Sequence, residues 1–420
     1  MKKIFYGWKM VAAATGMQFL QAGLMMQAFG AYVAVLSEER GWSKTALSGA
    51  AALHQMEVAI LGPVLGWMLD RFGPRRFVRA GVVLFGLGLV LFSQVETLPA
   101  FYGAFVVIAL GIGFCGFFPL NVALIHWFER WRARAISSMS IGLAFGGIIV
   151  PLVAWSMEVW GWRATAFASG VIVVVVGSWL ASMIYNRPAD LGEAVDGIYE
   201  DRPSQPLSSS TTNEIPVTRD FTAREALRTP AFWLLSLGHG FALFVVQAVV
   251  VHAIAHLKEG LGYTVAQAAL VITLVTVCQI GGVVIGWLIG DRYDKRLISA
   301  ACMLMHMSGL LLLTYALNLA MVIGFAALHG VAWGLRGPFM QALRADYFGR
   351  RAIGMILGLS FLVIMVGQVG GPMIAGFLAD LTGNYRVGFT VLALLAGLGS
   401  VFFLAAKRPS RPARSEEAPL

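Results

Sequence analysis

"GWMLDRFGPRR", residues 66–76, ends an apolar stretch on a dense run of charge, and "GWLIGDRY", residues 286–293, does the same about 220 residues later. In both, a Gly-Trp pair is followed within a few residues by an acid and a base, Asp70–Arg71 and Asp291–Arg292. Ionised side chains cost roughly 2.5–3.5 kcal/mol each at the centre of an inserted helix, so such a junction reads as a helix leaving hydrocarbon for water. A second pair, "HWFERWRARA" (126–135) and "ADYFGRRAIG" (345–354), repeats at the same offset. The pattern reads as a repeat of one membrane-embedded unit, with equivalent helices running in the same direction.

The rest of the chain fits that reading. Of its 420 residues, 58% are hydrophobic and 13% charged, whereas a soluble domain carries about a quarter charged residues. Hydrocarbon ~30 Å thick needs ~20 apolar residues to cross. Twelve such windows occur, at about 8–36, 46–69, 79–95, 100–127, 135–157, 164–184, 231–257, 266–289, 297–315, 318–343, 352–378 and 387–405. The first follows Met1-Lys2-Lys3 but is far longer than a signal-peptide core, so it is read as a retained helix. Cys115, Cys278 and Cys302 all fall inside spans, as small buried apolar residues do.

A net charge of +9 would suggest nucleic acid in a soluble protein. Here the basic residues are sorted by loop. With the N-terminus inside, 25 of the 31 Lys and Arg fall on inner segments, and Arg40, Lys44, Arg163, Lys258 and Arg386 fall outside. That asymmetry and an even number of spans predict both termini in the cytoplasm. One basic residue, Arg336, and one acid, Glu57, remain at membrane depth, one in each half. Residues 185–229 are polar and contain "PLSSSTTNE", so they are expected to form a cytoplasmic linker between residues 1–184 and 230–406, with 407–420 a cytoplasmic tail. Within the linker, Thr222 and Glu225 have capping-box spacing for a short helix before Pro230.

On these residues the chain resembles the major facilitator superfamily of transporters along nearly its whole length. Gly66, Asp70, Arg71, Gly73, Arg75 and Arg76 match that family's best-known loop, with Pro74 a small departure. "FYGWKMV", "GWSKTALSGA" and "EALRTPAFWLL" are similar to the branch of monocarboxylate and oxalate/formate carriers. The resemblance implies an all-α integral membrane fold, with twelve transmembrane helices in two pseudo-symmetric six-helix halves. It implies that spans 1, 4, 7 and 10 line a central cavity, and that the loop, with its repeat at Asp291 and Arg292, latches a cytoplasmic gate; a merely solvated loop is the plain alternative. There are departures. Gly282 stands where that branch carries a carboxylate-binding Arg, residues 352–378 contain no Lys, and Gly146 is followed by Gly147 rather than by the antiporter Pro.

Arg336 shares a helix face with His329, Trp333 and Met340. It lies ~12 Å by helical rise from Arg344 at the cytoplasmic end. It either snorkels toward the cytoplasmic end or ties down backbone carbonyls, or it anchors an anion through its bidentate fork, with His329 and Trp333 helping. Glu57, with His54 one turn before it, is either a proton carrier or a structural carboxylate, and it is the one acid placed to neutralise Arg336. Gln18, Gln21, Asn121 and Gln247 are polar groups on the other presumed cavity helices, serving the substrate or bonding between helices. GxxxG spacings at 62/66, 142/146, 282/286, 354/358 and 367/371 mark spans 2, 5, 8 and 11 as closely packed.

No GxxxxGK[ST] occurs, which argues against an ATP-driven pump, and the scattered histidines offer neither a metal site nor an enzyme's constellation. The expectation is a non-enzymatic secondary active transporter of a small organic anion, a monocarboxylate, coupled to a proton. A neutral or cationic substrate, or a transport-dead sensor, are the alternatives. It should act as a monomer in the cell membrane, with no cofactor and no nucleic-acid partner.

Overall fold

The computed structural model of the chain describes residues 5–42, 46–47, 61–198 and 219–412. Helix α1 (Tyr6–Gln21) passes through a π-helical turn into α2 (Phe29–Arg40), and together they form the first span. Residues 61–72 form α3, the described end of the second span, followed by α4 (Pro74–Phe92). Helices α5 (Leu98–Cys115) and α6 (Phe117–Trp127) make the fourth span, broken at Gly116. Then come α7 (Arg132–Gly146), α8 (Val150–Ile172) and α9 (Ser178–Ser182). Gly161, at φ 81°, breaks α8 and turns the chain back across the bilayer, a conformation that glycine adopts without a Cβ clash.

The second half opens with α10 (Ala223–Leu227), where the expected capping box forms: Thr222 N–H donates to Glu225 Oε2 (2.9 Å) and Glu225 N–H to Thr222 Oγ1 (3.3 Å). Helices α11 (Pro230–Leu261), α12 (Val265–Ile289), α13 (Lys295–Thr314), α14 (Leu319–Phe348), α15 (Ile353–Thr382) and α16 (Arg386–Ala405) are single uninterrupted spans.

Among the described residues, nine helical stretches are long and apolar enough by themselves to cross a membrane. One of the nine, Arg132–Ser182, is two spans joined at Gly161. Helix α4 opens on Arg75, Arg76 and Arg79, which dilute its hydropathy, and α3 is described over residues 61–72. With these, the described residues supply helical segments at the places of all twelve expected spans. Large apolar side chains such as Leu270, Val175 and Phe377 stand exposed on the outer surface, as a lipid-facing wall requires.

Each half has its own apolar core. Phe85, Phe92, Phe101 and Trp162 centre the first, and Phe232, Phe325, Phe389 and Phe403 the second. Ala332, Leu335 and Phe339 of α14 join the first core, so the halves are packed together along a seam. Tyr6 and Ala406 lie at one end of the molecule, the end that carries Arg75, Glu129 and Tyr347: Tyr6 packs on Tyr185 (5.5 Å), and Tyr347 Oη donates to Ala406 O (2.6 Å). This is the basic end below.

Residues 185–198, which composition places in the linker, are docked at that end. The Arg75 guanidinium lies 4.0 Å from the Tyr185 ring centroid, and Asn186 Oδ1 accepts from Arg75 N–H (2.9 Å). Asp196 accepts from the N–H groups of Glu129 (3.1 Å) and Arg130 (2.7 Å). Composition misses this because a few polar side chains that satisfy unpaired N–H groups suffice to pin a segment.

Candidate functional site

A cavity of about 680 Å³ lies between the halves. Met26, Gln27, Phe117 and Leu143 line it from the first half, and His239, Gln247, Gln279, Trp333, Arg336, Gln341 and Gln368 from the second. A neighbouring chamber of about 290 Å³ shares Met26, Phe117, Leu143, Phe361 and Gln368 with it and reaches Gln18 and Gln21 on α1.

Arg336 is 1% exposed, and its Nε and Nη1 have no hydrogen-bond partner. It forms no ion pair with any described residue. A buried guanidinium left open in this way carries a large desolvation cost that only an anion or well-placed acceptors can offset. Arg344, eight residues further along α14, is 2% exposed but answered. It donates through Nη1 to Met340 O (2.9 Å) and through Nη2 to Leu235 O and His239 Nδ1 (3.4 Å each). Burial is therefore not confined to the arginine that the sequence places at membrane depth, since Arg344 and, at 3% exposed, Arg132 are buried as well. Arg344 reads as a loop residue in sequence, and it is buried because α11 packs over it.

The remaining candidates are distributed as follows. Trp333 and Gln247 line the main cavity. Gln18 lines the smaller chamber and donates to Gln21 Oε1 (3.4 Å), which in turn donates through Nε2 to Cys115 Sγ (3.0 Å). His329 lines neither chamber. It is fully buried, with its Nδ1 3.2 Å from His306 Nδ1, and Nε2 of both rings is unpartnered. Asn121 lines neither; its Nδ2 donates to Phe117 O (2.9 Å) within its own helix. His54 and Glu57 lie outside the described residues. The sequence reading overlooked His239, Gln279, Gln341 and Gln368. The glutamines are visible as polar residues inside apolar spans, but Gln279 and Gln368 sit on spans 8 and 11, which the GxxxG spacing marks as closely packed and which are not among the four spans expected to line the cavity.

At the basic end the two repeated loops clasp opposite halves. Asp70, of the first half, accepts from Gly354 N–H (2.8 Å) and Met355 N–H (2.7 Å) at the start of α15. Asp291, of the second, accepts from Ala133 N–H (3.0 Å) and Arg134 N–H (3.1 Å) at the start of α7. Each carboxylate satisfies unpaired donors at the positive end of a helix dipole. Burial pushes the Asp70 carboxyl up to about 6 against the pull of those two hydrogen bonds, and burial raises Asp291 likewise. Asp346 is ion-paired with Arg132 across the seam and with Lys295 (2.9 Å) on its own side, and Arg350 meets Glu129 (3.2 Å).

Gly66 faces the Gly354 carbonyl so closely that a Cβ would overlap it, and Gly62 opposes Gly358, so α3 and α15 meet backbone to backbone. The basic end is shut. Arg71 lies over Trp67 (5.4 Å), and Gly73 turns the chain beside Asn186. Arg71, Arg76 and Arg292 are exposed and outside the clasp.

A family model described as Major Facilitator Superfamily matches residues 15–253 and 235–420. Monocarboxylate transporter 13 of Bos taurus is 27% identical over 95% of this chain and 89% of its own length. The glycerol-3-phosphate transporter of Bacillus subtilis (strain 168) is 25% identical over 87% of this chain and 84% of its own. Among solved structures, the E. coli fucose:proton symporter shares the fold with a TM-score of 0.72, at 16% identity over 95% of this chain and 98% of that one.

Proposed function

Because the chain belongs to the major facilitator superfamily, and so is a multi-pass membrane transporter, we propose that its cargo is a small organic monoanion, a monocarboxylate, moved by alternating access together with a proton. The observation that carries this reading is Arg336: a buried guanidinium on a cavity wall, with Nε and Nη1 unpartnered. A carboxylate matches its fork through two parallel hydrogen bonds.

Charge balance favours a monoanion over a phosphate ester. Arg344, the other buried guanidinium on α14, is already engaged by two carbonyls and His239. One open guanidinium neutralises one negative charge, and a second negative charge would stay buried without a partner. The names of the bovine and Bacillus relatives, one a monocarboxylate and one a phosphate-ester transporter, also speak for an anionic cargo.

The sorting of basic residues supports a cytoplasmic position for the clasped end, in a protein of the cell membrane. The cavity then belongs to a state closed toward the cytoplasm. Release of Asp70 and Asp291 from their helix ends would let the halves rock about the cargo. Glu57, with His54, is the proposed proton carrier, because its place in an apolar span disfavours the charged form until a partner arrives.

Uptake of radiolabelled carboxylates and their neutral and cationic analogues into proteoliposomes, with and without an inward proton gradient, tests the reading. Gradient-stimulated uptake of carboxylates alone is expected. Uptake of the neutral or cationic analogues in preference to carboxylates would overturn it.

A further inference from the structure

We propose that the transported carboxylate is hydroxylated, a short polyhydroxy acid rather than a plain alkyl acid. The inference rests on the reading of Arg336 as the anion anchor and concerns what surrounds it. Beyond the guanidinium, the second half lines the cavity with four side-chain amides, from Gln247, Gln279, Gln341 and Gln368, and with the imidazole of His239. Gln341 is 3% exposed and its Oε1 has no hydrogen-bond partner, so it is a buried acceptor facing a cavity with its bond unmade. A carboxylate brings no donor that could satisfy it. A hydroxyl group does.

His239 is set up as the complementary donor. A guanidinium has no acceptor, so the contact of Arg344 Nη2 with His239 Nδ1 (3.4 Å) requires Nδ1 to be the unprotonated nitrogen. In that tautomer Nε2 carries the proton and can donate a hydrogen bond to a cargo oxygen. Each amide adds a carbonyl acceptor and two N–H donors, which a hydroxyl can meet in either sense. An alkyl chain in the same place would strip water from these groups and leave them unpaired. Trp333 and Phe117 supply apolar walls for the C–H faces such a molecule keeps. A cavity of about 680 Å³ accommodates a six-carbon acid.

The test uses the purified full-length protein in lipid nanodiscs and reads ligand-induced thermal stabilisation. Gluconate and glycerate are compared with hexanoate and propionate, and glucitol serves as the neutral polyol. Gluconate is expected to bind at least about tenfold more tightly than hexanoate, because a site built to hydrogen-bond hydroxyls rejects analogues that lack them. Glucitol should bind far more weakly than gluconate. Gln368→Leu and, independently, Gln341→Met should shrink the gluconate-to-hexanoate ratio by about tenfold or more, which a general loss of folding would not do.

Equal binding of gluconate and hexanoate, with a ratio unmoved by either glutamine variant, overturns the inference. If Arg336→Gln still weakens binding of both acids by about tenfold or more in that case, the anchor reading survives alone. Wild-type gluconate affinity in Arg336→Gln overturns the anchor reading, and this inference with it. Binding of none of the acids at 10 mM, a concentration on the order of the weakest useful affinities, overturns both.

Discussion

Arg344 lies eight residues beyond Arg336 on α14, and the two buried guanidiniums differ in what answers them. Arg344 is held by the carbonyls of Met340 and Leu235 and by His239 Nδ1. Arg336, beside the cavity, keeps Nε and Nη1 without partners. The same side chain on the same helix thus serves as a strut in one place and as an open site in the other.

This contrast predicts opposite effects on stability. Arg336→Gln removes an uncompensated buried charge, so the unliganded protein should melt at the same temperature as the parent or higher. Arg344→Gln strands two carbonyls and a ring nitrogen and should cost about 1–3 kcal/mol, seen as a lower melting temperature. Cargo affinity should fall about 10- to 150-fold in Arg336→Gln, the equivalent of about 1.5–3 kcal/mol for a charge-assisted pair. Arg336→Lys should fall in between, since it keeps charge but loses the fork. Equal destabilisation by both glutamine variants, with cargo affinity unchanged in Arg336→Gln, would make Arg336 structural.

Glu57→Gln should abolish proton-driven accumulation while leaving cargo exchange across equilibrated proteoliposomes measurable. The neutral amide cannot carry a proton but fills the same volume. Equal loss of accumulation and exchange would assign Glu57 a structural role instead.

The clasp at the basic end should tighten in acid. The Asp70 carboxyl is pushed up by burial from 3.8 to about 6 in the shut state. A raised acid holds its proton more tightly in the shut state than when solvated. Its contribution to closure is therefore fully present below about pH 4 and lost as pH rises through about 6. Asp291 shifts in the same direction. Spin labels at Arg76 and Arg292, one exposed position on each half, should report a growing short-distance population as pH falls from 7 to 4. Asp70→Asn combined with Asp291→Asn should flatten that response. A parent protein that opens on acidification would refute the assignment.

Gly66→Ala should hold the basic end open. The added Cβ would overlap the Gly354 carbonyl and come within 3.0 Å of Met355 Cα, both backbone atoms that a rotamer change cannot move. The expected result is a longer distance between the same labels and slower turnover. Gly103→Ala on α5, where nothing lies within 4 Å of an added Cβ, is the control and should behave as the parent. An unchanged distance distribution in Gly66→Ala would show that closure does not need this backbone contact.

The sequence by itself determined the twelve spans, the repeat and the membrane class. The bilayer offers no partner for backbone polar groups, so only long apolar helices cross it, and their hydropathy is plain in the chain. It also isolated Arg336, because one guanidinium among apolar residues cannot be mistaken for a loop. Tertiary structure decided what each polar group meets. Asp70 finds its acceptor role 284 residues away at Gly354, a pairing no local spacing encodes. His329 and Arg336 share a face by their seven-residue separation, yet His329 packs on His306 of α13 while Arg336 borders the cavity. Periodicity fixes the direction of a side chain around its own helix. Neighbouring helices cross at an angle, so two turns along the same face one wall gives way to another. For the same reason Gln279 and Gln368 reach the cavity from helices whose other contacts form the seam, and Arg344 is interior only because α11 lies across it.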